Sequence, residues 1–212
     1  MRKLITNTFL TIDGVMQAPG GPEEDRSGGF EHGGWSFHHW DELMGQVMTE
    51  SMAQPHDLLL GRKTYEIFAA HWPHAGDAPE AVVMNQARKY VASRTLTNVD
   101  WNNSTLLEGD AANAVAELKN ADGPDIRVVG SGNLIQTLTS HQLIDEYEIW
   151  TFPVAVGGGK RLFEVPAGLK LLDHSVSTTG VIIARYAYDG PVTVGSFALE
   201  QPNDEEVAHR DK

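Results

Sequence analysis

The feature that most constrains this chain is a pattern written twice: apolar strand, glycine turn, helix start. Leu58, Leu59 and Leu60 run straight into Gly61, then Arg62 and Lys63, then Thr64, which can open a helix. Asp125-Ile126-Arg127-Val128-Val129, a short β-branched run, leads into Gly130-Ser131-Gly132-Asn133, and Leu134, Ile135 and Leu138 follow at helical spacing. Short apolar runs without polar alternation are strands buried on both faces, the mark of a parallel sheet. A glycine there lets backbone approach an anion without a Cβ in the way. The first turn of the next helix adds free N–H groups at the positive end of its dipole, and Arg62 and Lys63 add full charges. An ordinary strand-to-helix connection with two solvated cations would be written the same way.

The second turn is not a complete dinucleotide fingerprint, because Gln136 stands near where a third glycine would fall. Two such turns in one short α/β chain nevertheless suit a ligand with a pyrophosphate. A third fragment, Lys89 to Thr95, reads as a strand ending in Ser93 and Arg94. Ligands of open α/β sheets bind beyond the carboxyl ends of the strands. Arg94 therefore stands where a 2′-phosphate would be recognised, favouring NADPH over NADH; a surface salt bridge is its plain alternative.

These segments occur in an order that resembles the dihydrofolate reductase superfamily. They are Leu10-Thr11-Ile12-Asp13-Gly14-Val15, Gly61-Arg62-Lys63-Thr64-Tyr65, Ala92-Ser93-Arg94 and Val129-Gly130-Ser131-Gly132-Asn133-Leu134. Asp145 to Trp150, Pro153-Val154 and Gly157 to Phe163 complete the set. The closer similarity is to the C-terminal reductase domain of the bifunctional riboflavin-biosynthesis deaminase/reductase, over residues 1–188. The resemblance implies a three-layer fold: a central, mainly parallel twisted sheet with an antiparallel edge and helices on both faces. It also implies an NADPH-dependent, homodimeric reductase acting on a small heterocycle, with a riboflavin-pathway aminopyrimidine as the model substrate. Its cofactor residues map onto Gly61, Arg62, Lys63, Thr64, Ser93, Arg94, Gly130, Ser131, Gly132, Asn133 and Leu134. A non-catalytic nucleotide-binding protein of the same fold is the alternative.

With 212 residues, 41% of them hydrophobic, the chain can bury one core and need not split. A single domain over residues 1–200 is expected, with a polar, acidic and frayed tail over 201–212. No apolar run approaches the ~20 residues of a membrane span, and the first residues enter strand pattern without a secretory leader. A cytoplasmic enzyme is the expectation. The absence of cysteine excludes disulfides and thiol catalysis. A net charge of −13 argues against nucleic acid as a partner.

Expected strands cover residues 3–12, 57–60, 89–92, 104–106, 126–129, 146–156, 170–178 and 179–188. Expected helices cover 39–52, with Leu43, Val47 and Met48 inward, and 64–70, 111–120 and 134–138. The glycine-rich loop over 17–35 reads as a lid whose Gly-Gly pairs supply mobility. Gly157-Gly158-Gly159-Lys160-Arg161 lacks the residues of a Walker loop and reads as a turn. The histidines, including His38-His39, have no carboxylate at a ligand offset, so no metal is expected. Family members place a substrate-anchoring carboxylate on the first helix, but the matching position here is near Leu43, which argues against folate. Asp13, which the riboflavin-type branch retains, is the catalytic candidate; shaping the turn before Gly14 is its plain role.

Overall fold

The strand–helix alternation builds one sheet. The computed structural model describes residues 1–197 and 207–208, so the expected tail lies outside the described residues except at those two positions. The strands are β1 (Leu4–Thr11), β2 (His56–Gly61), β3 (Lys89–Ala92), β4 (Ser104–Leu106), β5 (Asp125–Val129), β6 (Glu146–Phe152), β7 (Leu169–Val176) and β8 (Ile182–Tyr188). Their order is β4-β3-β2-β5-β1-β6-β8-β7. Pairing is parallel from β4 across to β6. β8 then runs antiparallel to β6, and β7 antiparallel to β8. The expected mainly parallel sheet with an antiparallel edge is what forms.

Strand periodicity decides which residue meets which layer. Leu58 and Leu60 face one side with Val91, and pack on Tyr65 of α2 (Arg62–His71), Met84 of α3 (Pro79–Gln86) and Met52 of α1 (Glu42–Ala53). Leu59 faces the other side with Ile126 and Val128. It meets Val115 of α4 (Ala111–Asn120) and Leu134, Ile135 and Leu138 of α5 (Gly132–Ser140). Burying each leucine contributes about 1.5–3 kcal/mol, which fixes strand and register together.

Three expectations are corrected. The first helix begins at Glu42, not near 39, because Asp41 accepts from the Met44 N–H at 3.0 Å and caps it, while Phe37–His39 form a separate tight turn. Its buried residue is Met44, with Val47 and Met48 packed beside it; Leu43 stays half-exposed. α3 was not expected. It opens on Pro79, which is preorganised for a first helical position, and buries only Ala81 and Met84, too short a stripe to read as amphipathic.

The third concerns residues 17–35, which form a folded loop. Gln17 donates to the carbonyls of Asp25 and Ser27 at 3.0 and 2.9 Å, and Trp35 donates to the Gln17 carbonyl at 2.9 Å. Val15, Ala18 and Phe30 form a small core under it. A Cβ on Gly33 would lie 2.5 Å from the Gly21 carbonyl oxygen, so this glycine serves a close backbone crossing. Lys160 bonds Asp25 and donates to Ser27 at 2.7 Å, tying the loop to the segment before β7. Burial pushes the Asp25 carboxyl upward, but bonds from Lys160 and Ser27 outweigh it and bring the value to about 2.

Candidate active site

Because β3, β2, β5 and β1 are parallel neighbours, their carboxyl ends share one edge of the sheet. That edge gathers the turns after Gly61, Ala92, Val129 and Thr11, and so every candidate residue.

The two glycine turns clasp each other. Gly61 N–H donates to Ser131 Oγ at 2.9 Å, Ser131 Oγ donates to the Val129 carbonyl at 3.0 Å, and Ser131 N–H donates to Thr64 Oγ1 at 3.0 Å. Reaching this geometry places Ser131 in the left-handed region at φ 57°, directly after Gly130 at the same angle. A non-glycine residue held there stores strain of about 1–3 kcal/mol, a pattern concentrated at functional sites.

The clasp consumes the Ser131 hydroxyl, which would otherwise cap α5, and the cap position of α2 is Gly61, which has no side chain. α1 and α4 are capped by Asp41 and Asp110, whereas α2 and α5 begin without a side-chain cap. The first-turn N–H groups around Arg62 and Lys63, and around Gly132 and Asn133, therefore face the edge as two positive helix ends. Among the Lys and Arg side chains of the described residues, only Lys63, Arg94 and Lys170 have no hydrogen bond or ion pair. Lys63 and Arg94 stand at this edge; Lys170 opens β7 at the other end.

The remaining candidates divide. Arg62 is held by Glu66, with both carboxylate oxygens at 3.0 Å, in an exposed i,i+4 pair worth under about 0.5 kcal/mol and easily released. Ser93 Oγ accepts from the N–H groups of Thr95 and Leu96 at 3.1 and 2.9 Å, shaping the turn that presents Arg94. Asn133 is exposed at the start of α5. Leu134 turns inward: the residue is 8% exposed, packs in the core, and its N–H bonds the Ser131 carbonyl at 2.9 Å. A Cβ on Gly132 would lie 2.9 Å from Met16 Sδ, so packing alone favours glycine there.

Asp13 closes the β1 end of the edge. Its carboxylate accepts from Thr11 Oγ1, from Gly157 N–H at 2.8 Å and from Val156 N–H at 3.3 Å. The Thr11 bond, helped by those backbone bonds, holds its pKa below the usual value against desolvation. Asp13 is thus a clamp on the loop after β6.

The richest chemistry lies on the α1 side of the sheet. Asn7 of β1, Arg127 of β5 and Glu148 of β6 project between the strands and α1, where a buried parallel sheet would ordinarily carry aliphatic residues. Glu148 Oε1 accepts from Asn7 Nδ2 at 2.8 Å and from Trp150 Nε1 at 3.1 Å. No hydrogen bond reaches Glu148 Oε2. Arg127 donates to Ser51 Oγ of α1, and burial pushes its pKa down against the pull of Glu148 and Asp125. Above them Phe9 packs on Trp150 with ring centroids 5.2 Å apart, and Trp40, 45% exposed, stacks on Trp150 at 5.9 Å. Sequence reasoning missed this group. The available signal was a charge inside each of two apolar strands, Ile126-Arg127-Val128 and Tyr147-Glu148-Ile149.

Nearby, Asp41, Leu43, Gln46 and Thr178 line a shallow hollow of about 360 Å³ at the start of α1. Asp41 accepts from Thr178 N–H at 2.8 Å as well as capping α1, so it is a structural carboxylate. A polar hollow of about 530 Å³ around Arg88, Asn103 and Asp122 lies at the opposite sheet edge. Among the described residues no three His, Asp or Glu side chains converge to hold a metal, and no helix is long and apolar enough to cross a membrane.

Comparison with known proteins agrees with this layout. The model of the RibD C-terminal domain matches residues 2–183. The chain belongs to the RibD C-terminal domain family. A Bacillus subtilis relative, the uncharacterized protein YyaP, is 26% identical over 196 residues, spanning 89% of this chain and 96% of its own. The solved structure of a putative riboflavin biosynthesis protein from Shewanella sp. PV-4 superposes with a TM-score of 0.63 at 22% identity, covering 89% of this chain and 99% of that one. Dihydrofolate reductase from Enterococcus faecalis, solved with NADP(H), gives a TM-score of 0.54 at 12% identity, covering 88% and 96%. The architecture is therefore a dihydrofolate-reductase-like, reductase-type fold.

Proposed function

We propose that this chain is an NADPH-dependent reductase that delivers hydride to a small heterocycle, with a riboflavin-type aminopyrimidine as the candidate class. The observation that carries the reading is the convergence of two uncapped helix starts with the unpaired cations Lys63 and Arg94 on one sheet edge. In a chain of net charge −13, cations without partners are scarce, and two of them flank the turns that a pyrophosphate suits. Membership of the RibD C-terminal domain family and the NADP(H) complex of the Enterococcus enzyme support the cofactor.

The residues present fit that cofactor. The α2 and α5 first turns would take the pyrophosphate, and Arg94, with Lys63, the 2′-phosphate. When bound, NADPH supplies the hydride; the chain's own residues bind, orient and shield. On the α1 side, Phe9 and Trp40 offer apolar faces to a planar ring. Glu148 Oε2 offers an acceptor for a ring N–H, and Asn7 and Trp150 hold that carboxylate in place through its other oxygen. Asp13 fixes the loop after β6 beside the edge.

The test is to incubate purified chain with NADPH and a panel of pterins and aminopyrimidines, following loss of the dihydronicotinamide absorbance. Substrate-dependent oxidation is expected. Saturable NADPH binding with no oxidation by any member would leave a non-catalytic nucleotide-binding protein. No binding at all would overturn the reading.

A further inference from the structure

The α1 side of the sheet sorts its charges by height. The registered pairs of β1 and β6 set three levels on that side: Ile5–Glu146 lowest, Asn7–Glu148 in the middle and Phe9–Trp150 highest. Cations collect at the lowest level, and there they are matched. Lys3 Nζ donates to Glu146 Oε1 at 2.6 Å, and Arg185 Nε lies 3.8 Å from Glu146 Oε2. Arg127, in register with Ile5, donates to Ser51 Oγ, and the charges of Glu148 and Asp125 act on it. Lys170 of β7 pairs with Ala187, itself opposite Glu146, so it stands two strands from β6 at the rim of the same low level. Above that level the Lys and Arg residues stop. Residues 36–50, which lead into α1 and make up most of it, hold neither, while they carry Asp41, Glu42 and Glu50. β1, β6 and residues 177–184 contain no Lys or Arg either.

We infer, on the reading of the α1 side as the substrate's place, that the heterocycle taken there carries no phosphate, and that the chain tells its two ligands apart by charge. The carboxyl edge of the sheet leaves Lys63 and Arg94 without partners, as a polyanionic cofactor requires. The α1 side leaves the opposite group without a partner, the carboxylate oxygen Glu148 Oε2. Beside it, Phe9 and Trp40 hold their rings 6.2 Å apart, centroid to centroid, and give a planar ligand apolar surface. A neutral ring bearing N–H groups thus meets an acceptor that has no other donor. A phosphate carried in on that ring meets Glu148 and the acidic start of α1, with the cations of the lowest level already matched. Like charges repel most strongly where water is partly excluded, as it is between α1 and the sheet.

Titration calorimetry with a matched pair of probes tests this: an aminouracil bearing a ribityl chain, with and without a terminal phosphate. Each is added to the full chain, alone and with NADPH, at about pH 8, where a histidine is ordinarily neutral. The form without phosphate should bind at least about tenfold more tightly. Raising the salt from about 0.01 M to about 1 M shortens the screening length from about 30 Å to about 3 Å, so the preference should shrink several-fold. A preference set by shape would not move with salt. Glu148→Gln, which keeps the side chain's size and removes its charge, should weaken the phosphate-free form and narrow the preference. The salt series on the native chain stands by itself should that variant fail to fold. Equal affinities, tighter binding of the phosphorylated form, a preference indifferent to salt, or binding of neither form would each overturn the inference. So would a phosphorylated form that binds the native chain and is lost in Arg127→Gln, since Arg127 would then be a phosphate clamp. The reductase reading fails on a different result, because the preference can hold in a chain that never oxidises NADPH.

Discussion

Removing one hydroxyl should loosen the glycine turns measurably. Ser131 Oγ accepts from Gly61 N–H at 2.9 Å and donates to the Val129 carbonyl at 3.0 Å, tying the ends of β2 and β5. Each such bond is worth about 0.5–1.5 kcal/mol net, so Ser131→Ala should cost about 1–3 kcal/mol. Alanine inherits the left-handed backbone at φ 57°, and the strain with it. Ser131→Gly loses the same two bonds but relieves about 1–2 kcal/mol of that strain, offset by about 0.5–1 kcal/mol of extra chain entropy in the unfolded state. Glycine should therefore be milder than alanine by up to about 1.5 kcal/mol, although it is the larger deletion. Thr64→Val removes the acceptor of Ser131 N–H and should cost about 1 kcal/mol on its own. Combined with Ser131→Ala it should be less than additive, because both act on one clasp. Urea unfolding of the four variants measures all of this. If Ser131→Ala falls within about 0.5 kcal/mol of the parent, or if glycine proves the worse replacement, the clasp is not what holds these turns.

Arg94→Ala should weaken NADPH by more than about tenfold and leave NADH nearly unchanged, since a charged bond to phosphate is worth about 1.5–3 kcal/mol; titration with both cofactors checks it, and equal losses refute the assignment. Burial pushes the Lys89 ammonium down to about 8, so between there and its ordinary 10.5 the folded chain binds fewer protons than the unfolded one. The part of stability owed to Lys89 should thus rise with pH over that interval, and the difference in unfolding free energy between the parent and Lys89→Met should track it; a flat difference would show that the carbonyls of Ala87 and Asn102, which accept from Lys89, keep it charged. Lys160→Ala should speed hydrogen exchange over residues 17–35, and unchanged protection would mean that the buried Phe30 cluster alone holds the loop. The same protection in the parent should persist at pH 4 and fade as pH drops toward 2, because Asp25 keeps its charge down to about that value.

Where local pattern and tertiary demand coincide, the sequence was legible. Leu58 to Leu60 and Ile126 to Val129 could only be buried strands, and the parallel pairing of β2 with β5 follows from the helices between them. Residues 17–35 carry more tertiary structure than their composition suggests, for a physical reason. Three Gly-Gly pairs look like mobility, but Gly33 is small so that one stretch of backbone can cross another, a need that exists only in three dimensions. α3 escaped because a helix that buries two side chains leaves almost no periodic trace.

The site was legible to the same degree. Glycine, cation and hydroxyl positions beside the strand ends could be picked out one by one. Their division of labour could not, since it depends on contacts between turns far apart in sequence. Ser131 spends its hydroxyl on Gly61 N–H and the Val129 carbonyl, which leaves α5 without a side-chain cap, and α2 has Gly61 at its cap position while Thr64 accepts from Ser131 N–H. An uncapped helix start is a local cost, about 1 kcal/mol against a capped one. A fold that accepts this cost at α2 and α5, while capping α1 and α4 with aspartates, keeps its unspent N–H groups at one edge. There an anion can satisfy all of them at once. Aspartate caps at α2 and α5 would have stabilised the chain alone and set two carboxylates where the proposed cofactor would bring its phosphates. Under the proposed function, the missing caps of α2 and α5 and the unpaired Lys63 and Arg94 would answer one requirement, that this edge stay positive in a chain that is otherwise strongly acidic.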